Sequence, residues 1–397
     1  METALRKQAG RNKRLSLIIY TLSAAAAMAS TGTLMQTFLA TLGLPAEQVY
    51  IHATVTQGVN VATLLLSSRW ITAKSAIRGY ALATVPYALL FLAVLPFCFG
   101  REDTANVLFW LILIGAFQAA AVGLRTVSSY ILPYILYPAE DYGPLQSLSG
   151  ILSSVASLAL GALISLLTAR IPFSAVMAGA CIISALLMLT EAVLILRLRA
   201  IVPMDMPKTT AQKALLKETF LHPVFYTLAL PSLLRGFASG TTTVFAAMAF
   251  DLGFDETLTA NLLYLQSAAG LVGCGLIGLL SRRISVRYPV LLGSLSFLLI
   301  PLFFLRSGPV FMAVATVVIF GRTMVDYGVP ILLRRAVPIS IAGTYNAWRM
   351  ILHSGGTLIA TTAAAMIPVE ILVVVTVGFS VLSGCGFFFS RSIRNAE

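Results

Sequence analysis

The sequence predicts an all-α integral membrane protein, with twelve transmembrane helices arranged as two six-helix pseudo-repeats. Of its 397 residues, 58% are hydrophobic and 11% charged, a composition that cannot keep a globular surface in water. Apolar runs of about 20 residues, long enough to cross about 30 Å of hydrocarbon as a helix, recur along the whole chain. Short strings return in the second half at nearly constant offsets, the mark of an internal repeat.

The spans follow in order. Span one, Leu15 to Thr41, comes after a basic stretch (Arg6 to Arg14) and closes on LGLPAE, Leu42 to Glu47. Span two, Val49 to Ser67, is followed by SRWITAK, Ser68 to Lys74. Span three is Ala76 to Cys98, and span four, Val107 to Leu132, contains most of RTVSSYILP, Arg125 to Pro133. Span five, Leu145 to Ala169, begins beyond Pro138 and Gly143, and span six is Phe173 to Leu196. In the second half, span seven is Pro223 to Phe250, closed by LGFDET, and span eight, Leu258 to Leu280, is followed by SRRISVR, Ser281 to Arg287. Span nine is Pro289 to Leu305, and span ten, Pro309 to Leu333, contains RTMVDYGVP, Arg322 to Pro330. Spans eleven and twelve are Tyr345 to Ile367 and Ile371 to Ser390.

The Leu-Gly echo has an offset of 210, the Ser-Arg echo 213, the Arg-Thr-Tyr-Pro pattern 197 and the Pro-Gly loop 200. The fall from 213 to 197 reflects a shorter hairpin between spans nine and ten. The chain therefore divides into an N-terminal half (1–197), a polar linker (198–222) and a C-terminal half (223–397) in parallel orientation. A cleavable leader is the other reading of the basic stretch and span one. The LGLPAE echo argues against it, because it makes span one part of the repeating unit.

The net charge of +12 is explained by placement rather than by a nucleic-acid partner. With the N-terminus inside, cytoplasmic segments carry 20 Lys and Arg, and the opposite side only Arg101, Arg170 and Arg306. Both termini are expected in the cytoplasm. Slight extramembrane mass and no Asn-x-Ser/Thr sequon point to a prokaryotic inner (cytoplasmic) membrane. Cys98, Cys181, Cys274 and Cys385 stand singly, with neither disulfide nor metal spacing. No constellation for covalent chemistry appears, so no enzyme activity and no cofactor are expected.

Two parallel six-helix repeats joined by a cytoplasmic linker resemble the major facilitator superfamily of secondary transporters along the whole chain. The family's loop signature after span two is Gly-x-x-x-Asp-Arg/Lys-x-Gly-Arg/Lys-Arg/Lys. This chain keeps Arg69 and Lys74 but has Ser68 in place of the aspartate; the second copy has Ser281 before Arg282, with Arg287 following. The resemblance implies alternating access, with spans one, four, seven and ten lining a central cavity and spans five and eight meeting across the halves. Small residues every four positions, from Ser149 to Ser165 in span five, and the glycines of span eight suit such a sliding contact.

A charge at the centre of a spanning helix costs about 2.5 to 3.5 kcal/mol on insertion scales, so each needs a reason. Arg125, Arg235, Arg322 and Arg349 face only Asp326 and Glu191. Arg235 lies 12 residues into span seven, near the midplane, and is read as a substrate contact, with a bond to backbone carbonyls as the alternative. Arg322 and Asp326, four apart, share a helical face. They are either a self-compensated pair or a substrate-binding switch, in which substrate or a proton competes for the pair and protonation of Asp326 releases Arg322. Arg125 has Ser129 where Asp326 stands and is read as snorkelling or ligand-binding, and Glu191 as a boundary residue or a proton carrier.

Span eleven places Asn346, Arg349 and His353 on one stripe. Arg349 and Asn346 are candidate substrate contacts, and His353 is a structural histidine or a proton relay. Gln36, Gln57, Asn60 and Gln266 are candidate cavity amides.

The leading expectation is a secondary transporter of a small anionic or zwitterionic solute, held by arginine's planar fork, with protons as coupling ion. The alternatives are a proton-coupled exporter of drugs or neutral solutes, and a non-transporting receptor or assembly protein of the same fold. The lipid bilayer is the surrounding partner, and a monomer is expected.

Overall fold

The computed structural model describes residues 2–27, 32–67, 75–100, 104–201, 219–280, 284–337 and 342–394. These residues are almost wholly helical. Eight of the described helices are long and apolar enough to cross a membrane on their own: those of spans two to six, nine, ten and twelve. Spans one, seven, eight and eleven complete the twelve.

Span one is described over Glu2–Ala27 and Gly32–Thr41, and the basic stretch from Arg6 to Arg14 forms the first turns of its helix. Asn12 explains why: its amide donates to the carbonyls of Leu136 (3.1 Å) and Arg199 (2.8 Å), fastening the ends of spans four and six. Lys13 pairs with Asp141 at 2.6 Å. Span three stops at Leu92 and restarts at Leu95–Phe99. Span four is Thr104–Leu136 and span ten Gly308–Ala336, each with a proline, Pro133 and Pro330, near its end. Spans five and six are Ala139–Thr168 and Phe173–Ile195. Span seven breaks between Pro223–Thr243 and Phe245–Asp251. Span eight is Glu256–Leu280, and span nine changes from an α-helix, Arg287–Leu295, to a 3-10 helix, Ser296–Leu305, holding Pro301. Spans eleven and twelve are Ala342–Met366 and Val369–Phe389.

The Leu-Gly echo has a backbone cause. Gly43 and Gly253 both adopt a left-handed conformation, φ 82° and 87°. The next residue's N–H reaches back in each case, Leu44 to the Leu39 carbonyl and Phe254 to the Ala249 carbonyl. Both half-repeats thus end their first span with the same glycine cap, which a side chain would strain.

The bundle has a terminal face, where both described chain ends lie, and a far face. At the far face one apolar cluster runs through both halves, from Phe38 and Phe91 to Phe245, Phe303 and Phe311. At the terminal face the halves pack separately, around Leu132 and Leu136 in one and Leu332 and Leu333 in the other. Leu64, Val127 and Ile351 form a small contact between them.

The serine stripe of span five has two jobs. Ser153 and Ser157 donate to the carbonyls of Tyr20 and Ala24 on span one, inside their own half. The contact with the other half is carried by Ser165, which donates to Asn261 of span eight at 2.7 Å. Gly150 joins it, because a Cβ there would lie 2.6 Å from the Tyr327 ring of span ten.

Candidate functional site

Two spans of the C-terminal half, seven and ten, bring two arginines onto one carboxylate. Arg235 of span seven makes a salt bridge with Asp326 of span ten, and Arg322, one turn before Asp326, reaches it at 3.3 Å through Nε. Arg322 also donates to the Thr242 hydroxyl at 2.5 Å. Two guanidiniums therefore share one anion. The side chains of Arg322 and Asp326 keep 30% and 31% of their surface accessible, which places them at the edge of an internal space.

Ser239, Ser294, Phe297, Ser380 and Ser383 are among the residues that line a recess with Arg235, Arg322 and Asp326. The recess between them has a volume of about 10 Å³, room for one water. With Asp326 seated between the arginines, both forks are occupied by the protein's own carboxylate.

Glycines set this geometry. A Cβ on Gly236 would stand 2.7 Å from the carbonyl carbon of His353, and Cβ atoms on Gly240 and Gly356 would meet span eleven and span seven backbone in the same way. Spans seven and eleven can therefore cross backbone to backbone, and Thr357 donates to the Gly236 carbonyl at 3.0 Å. That crossing places His353 beside Arg235, with its ring hydrogen-bonded to the Ser232 backbone and within the electrostatic reach of Arg235, Arg349 and Arg322. Arg349 is buried, and its Nε has no hydrogen-bond partner among the described residues.

The matching place in the N-terminal half holds a different arrangement. Arg125 donates to Glu191 at 2.8 Å, to the Tyr80 hydroxyl at 3.0 Å and to Ser23 at 2.8 Å, while Tyr80 donates to Glu191 at 2.6 Å. Its guanidinium also lies over the rings of Tyr80 and Tyr87. Side-chain exposure is 9% for Arg125 and 0% for Glu191. The snorkelling read for Arg125 and the boundary position read for Glu191 are both corrected: the pair turns inward and is sealed. Spacing within one helix could not reveal it, because the partners are 66 residues apart.

Gln36 is occupied as well. Its amide donates to the Thr243 carbonyl at 2.7 Å, and its oxygen accepts from the Ala247 N–H at 3.2 Å. These are the backbone groups that the break at Val244 frees, so Gln36 clamps span one to span seven across the halves. Gln57 and Asn60 on span two and Gln266 on span eight are half-buried and lie outside the lining around Arg235. Arg287 donates to Ser285 at 3.0 Å and covers the rings of Tyr288 and Phe388. Arg69, Lys74, Arg282 and the side chain of Asn346 lie outside the described residues. The serines of spans nine and twelve, Ser294, Ser380 and Ser383, were missed; isolated hydroxyls in apolar runs carry no signal without the packing.

Solved structures share this architecture at low identity. A bacterial homologue of the iron transporter ferroportin, in its outward-facing state, superposes with TM-score 0.68 at 16% identity, covering 95% of this chain and 98% of that one. A D-xylose–proton symporter gives 0.67 at 14% identity, with 95% and 96% covered. The nucleoside transporter NupG gives 0.62 at 15% identity, with 96% and 100% covered. No protein of curated function matches the sequence. The sequence profile described as Major Facilitator Superfamily matches residues 17–361, and the chain belongs to that family.

Proposed function

We propose that this chain is a secondary active transporter that moves a small anionic or zwitterionic solute across the cytoplasmic membrane by alternating access. The family and the fold support transport in general; the shared carboxylate supports the anion. Two arginines from different spans converge on Asp326 at a position that is partly accessible from inside the bundle. A solute carboxylate or phosphate fits the same forks, and charge-assisted bonds of this kind are about twice as strong as neutral ones.

Because Asp326 already occupies both arginine forks, the solute binds there by displacing that carboxylate. Asp326 then loses both cations at once, and taking up a proton is the least costly way for it to remain in the membrane interior. Solute arrival and protonation are thereby linked, which gives a route to proton coupling. With both termini cytoplasmic, the continuous far-face core and the Gln36 clamp close the outer side. The site is then reached from the inside, between halves that pack separately there.

The test is a ligand-stabilisation screen on purified protein in detergent with carboxylates, phosphorylated metabolites, amino acids, sugars and lipophilic cations. A ligand at about 100 times its dissociation constant adds about 2.7 kcal/mol. An anion is expected to stabilise the parent and not Arg235→Gln. Stabilisation by cations alone, or equally in both proteins, would refute the role given to Arg235.

A further inference from the structure

The charges in the middle of the C-terminal half do not balance. Arg235, Arg322 and Arg349 all lie within electrostatic reach of His353, and among the described residues Asp326 is the acid that pairs with Arg235 and Arg322. Guanidiniums stay charged in proteins, so the excess of two positive charges cannot be relieved by proton loss. Membrane interiors make such an excess expensive unless something fills it.

The second observation is on span eleven. Tyr345, Arg349 and His353 recur every four residues along one helical face, and each has a buried polar atom with no partner among the described residues: Tyr345 Oη, Arg349 Nε and His353 Nδ1. Tyr345 and Arg349 are both buried, and Tyr345 lies within the electrostatic reach of Arg349. Buried donors without acceptors are rare in native proteins, and two on one face mark a place for acceptor atoms. Four residues of helix are about 6 Å, and His353 is against Gly236, next to Arg235. Arg349 therefore stands about one turn nearer the terminal face than the Arg235–Asp326–Arg322 group.

Resting on the anion reading above, we infer that the solute bears two negative groups about one helical turn apart: a short dicarboxylate or a solute of equivalent charge. One group takes the place of Asp326 between Arg235 and Arg322. The other is held by Arg349 with the Tyr345 hydroxyl. With Asp326 displaced and protonated, the two groups answer two of the three guanidiniums, where Asp326 alone supplied one negative charge.

The experiment measures dissociation constants, by thermal stabilisation of the parent, Arg349→Gln, Arg349→Lys and Tyr345→Phe. The probes are dicarboxylates of three to six carbons, monocarboxylates of the same lengths, and inorganic phosphate. The inference expects one dicarboxylate to bind the parent at least about tenfold tighter than its monocarboxylate counterpart, since a bond to a charged group contributes at least that much. Arg349→Gln should shrink the difference to about twofold by weakening the dicarboxylate alone, with Arg349→Lys in between. Equal binding of mono- and dicarboxylates by the parent, or a preference for phosphate over every dicarboxylate, would overturn the inference and leave the anion reading standing. Failure of every anion to bind would remove both. If Arg349→Gln does not fold, Tyr345→Phe decides, since loss of its hydroxyl should selectively weaken the dicarboxylate.

Discussion

Replacing Glu191 by leucine should be among the most damaging single changes in the N-terminal half, and more damaging than replacing its partner. Glu191 accepts from Arg125 at 2.8 Å and from Tyr80 at 2.6 Å with no exposed side-chain surface. Without it, Arg125 stays charged, because a guanidinium has no accessible neutral form, and it is left with Ser23, Tyr80 and two aromatic faces. Breaking a buried pair in this way costs about 3 to 5 kcal/mol. Arg125→Leu strands a carboxyl instead, which can bind a proton and keep its bond to Tyr80. Its cost should be lower by about 1 kcal/mol or more, the worth of one retained buried hydrogen bond. The double change to leucine should recover most of the loss, since well-packed apolar replacements of buried pairs are often neutral or stabilising. Reversible unfolding by SDS from detergent micelles measures all three variants. Glu191→Leu within about 1 kcal/mol of the parent, or Arg125→Leu costing the more, would refute the reasoning.

Asp326→Asn removes the carboxylate that the solute must displace. It should therefore bind the anion about tenfold tighter or more while losing proton-driven accumulation; a binding titration and uptake under an imposed pH gradient check the two halves of the claim. Gln36→Ala frees the Thr243 carbonyl and the Ala247 N–H, bonds together worth about 1 to 3 kcal/mol, and should shift the population toward an outward-open form by about tenfold. Faster modification of a cysteine placed at Ser239, with an impermeant reagent applied outside, is the readout. Gly236→Ala puts a methyl group against the His353 backbone, should cost about 1 to 3 kcal/mol and should weaken anion binding, because it pushes Arg235 away from span eleven.

The helices and the repeat were legible because hydropathy and string echoes are properties of the chain itself. The Gly43 and Gly253 caps show what kind of signal survives: a backbone conformation that one residue type adopts cheaply leaves a mark in the sequence. The break near Val94 is marked by Pro96 at the start of the next helix, whereas the break near Val244 leaves no mark, since valine is apolar whether or not the helix continues. The same limit explains Gln36, whose partners exist only because span seven breaks. Among the charges, Arg322 and Asp326 were legible as a pair from their spacing of four. The bonds of Arg235 to Asp326 and of Arg125 to Glu191 join residues on separate spans, and no periodicity within a helix encodes which spans will touch.

The most direct test of the central claim is flux. Protein reconstituted into liposomes should exchange, across the bilayer, the anion that stabilises it in detergent, and Arg235→Gln proteoliposomes should not, with the folding of that variant checked by its unfolding transition in detergent. Undiminished exchange by Arg235→Gln, or no exchange of that anion by the parent, would contradict a carrier that holds its solute between Arg235 and Arg322.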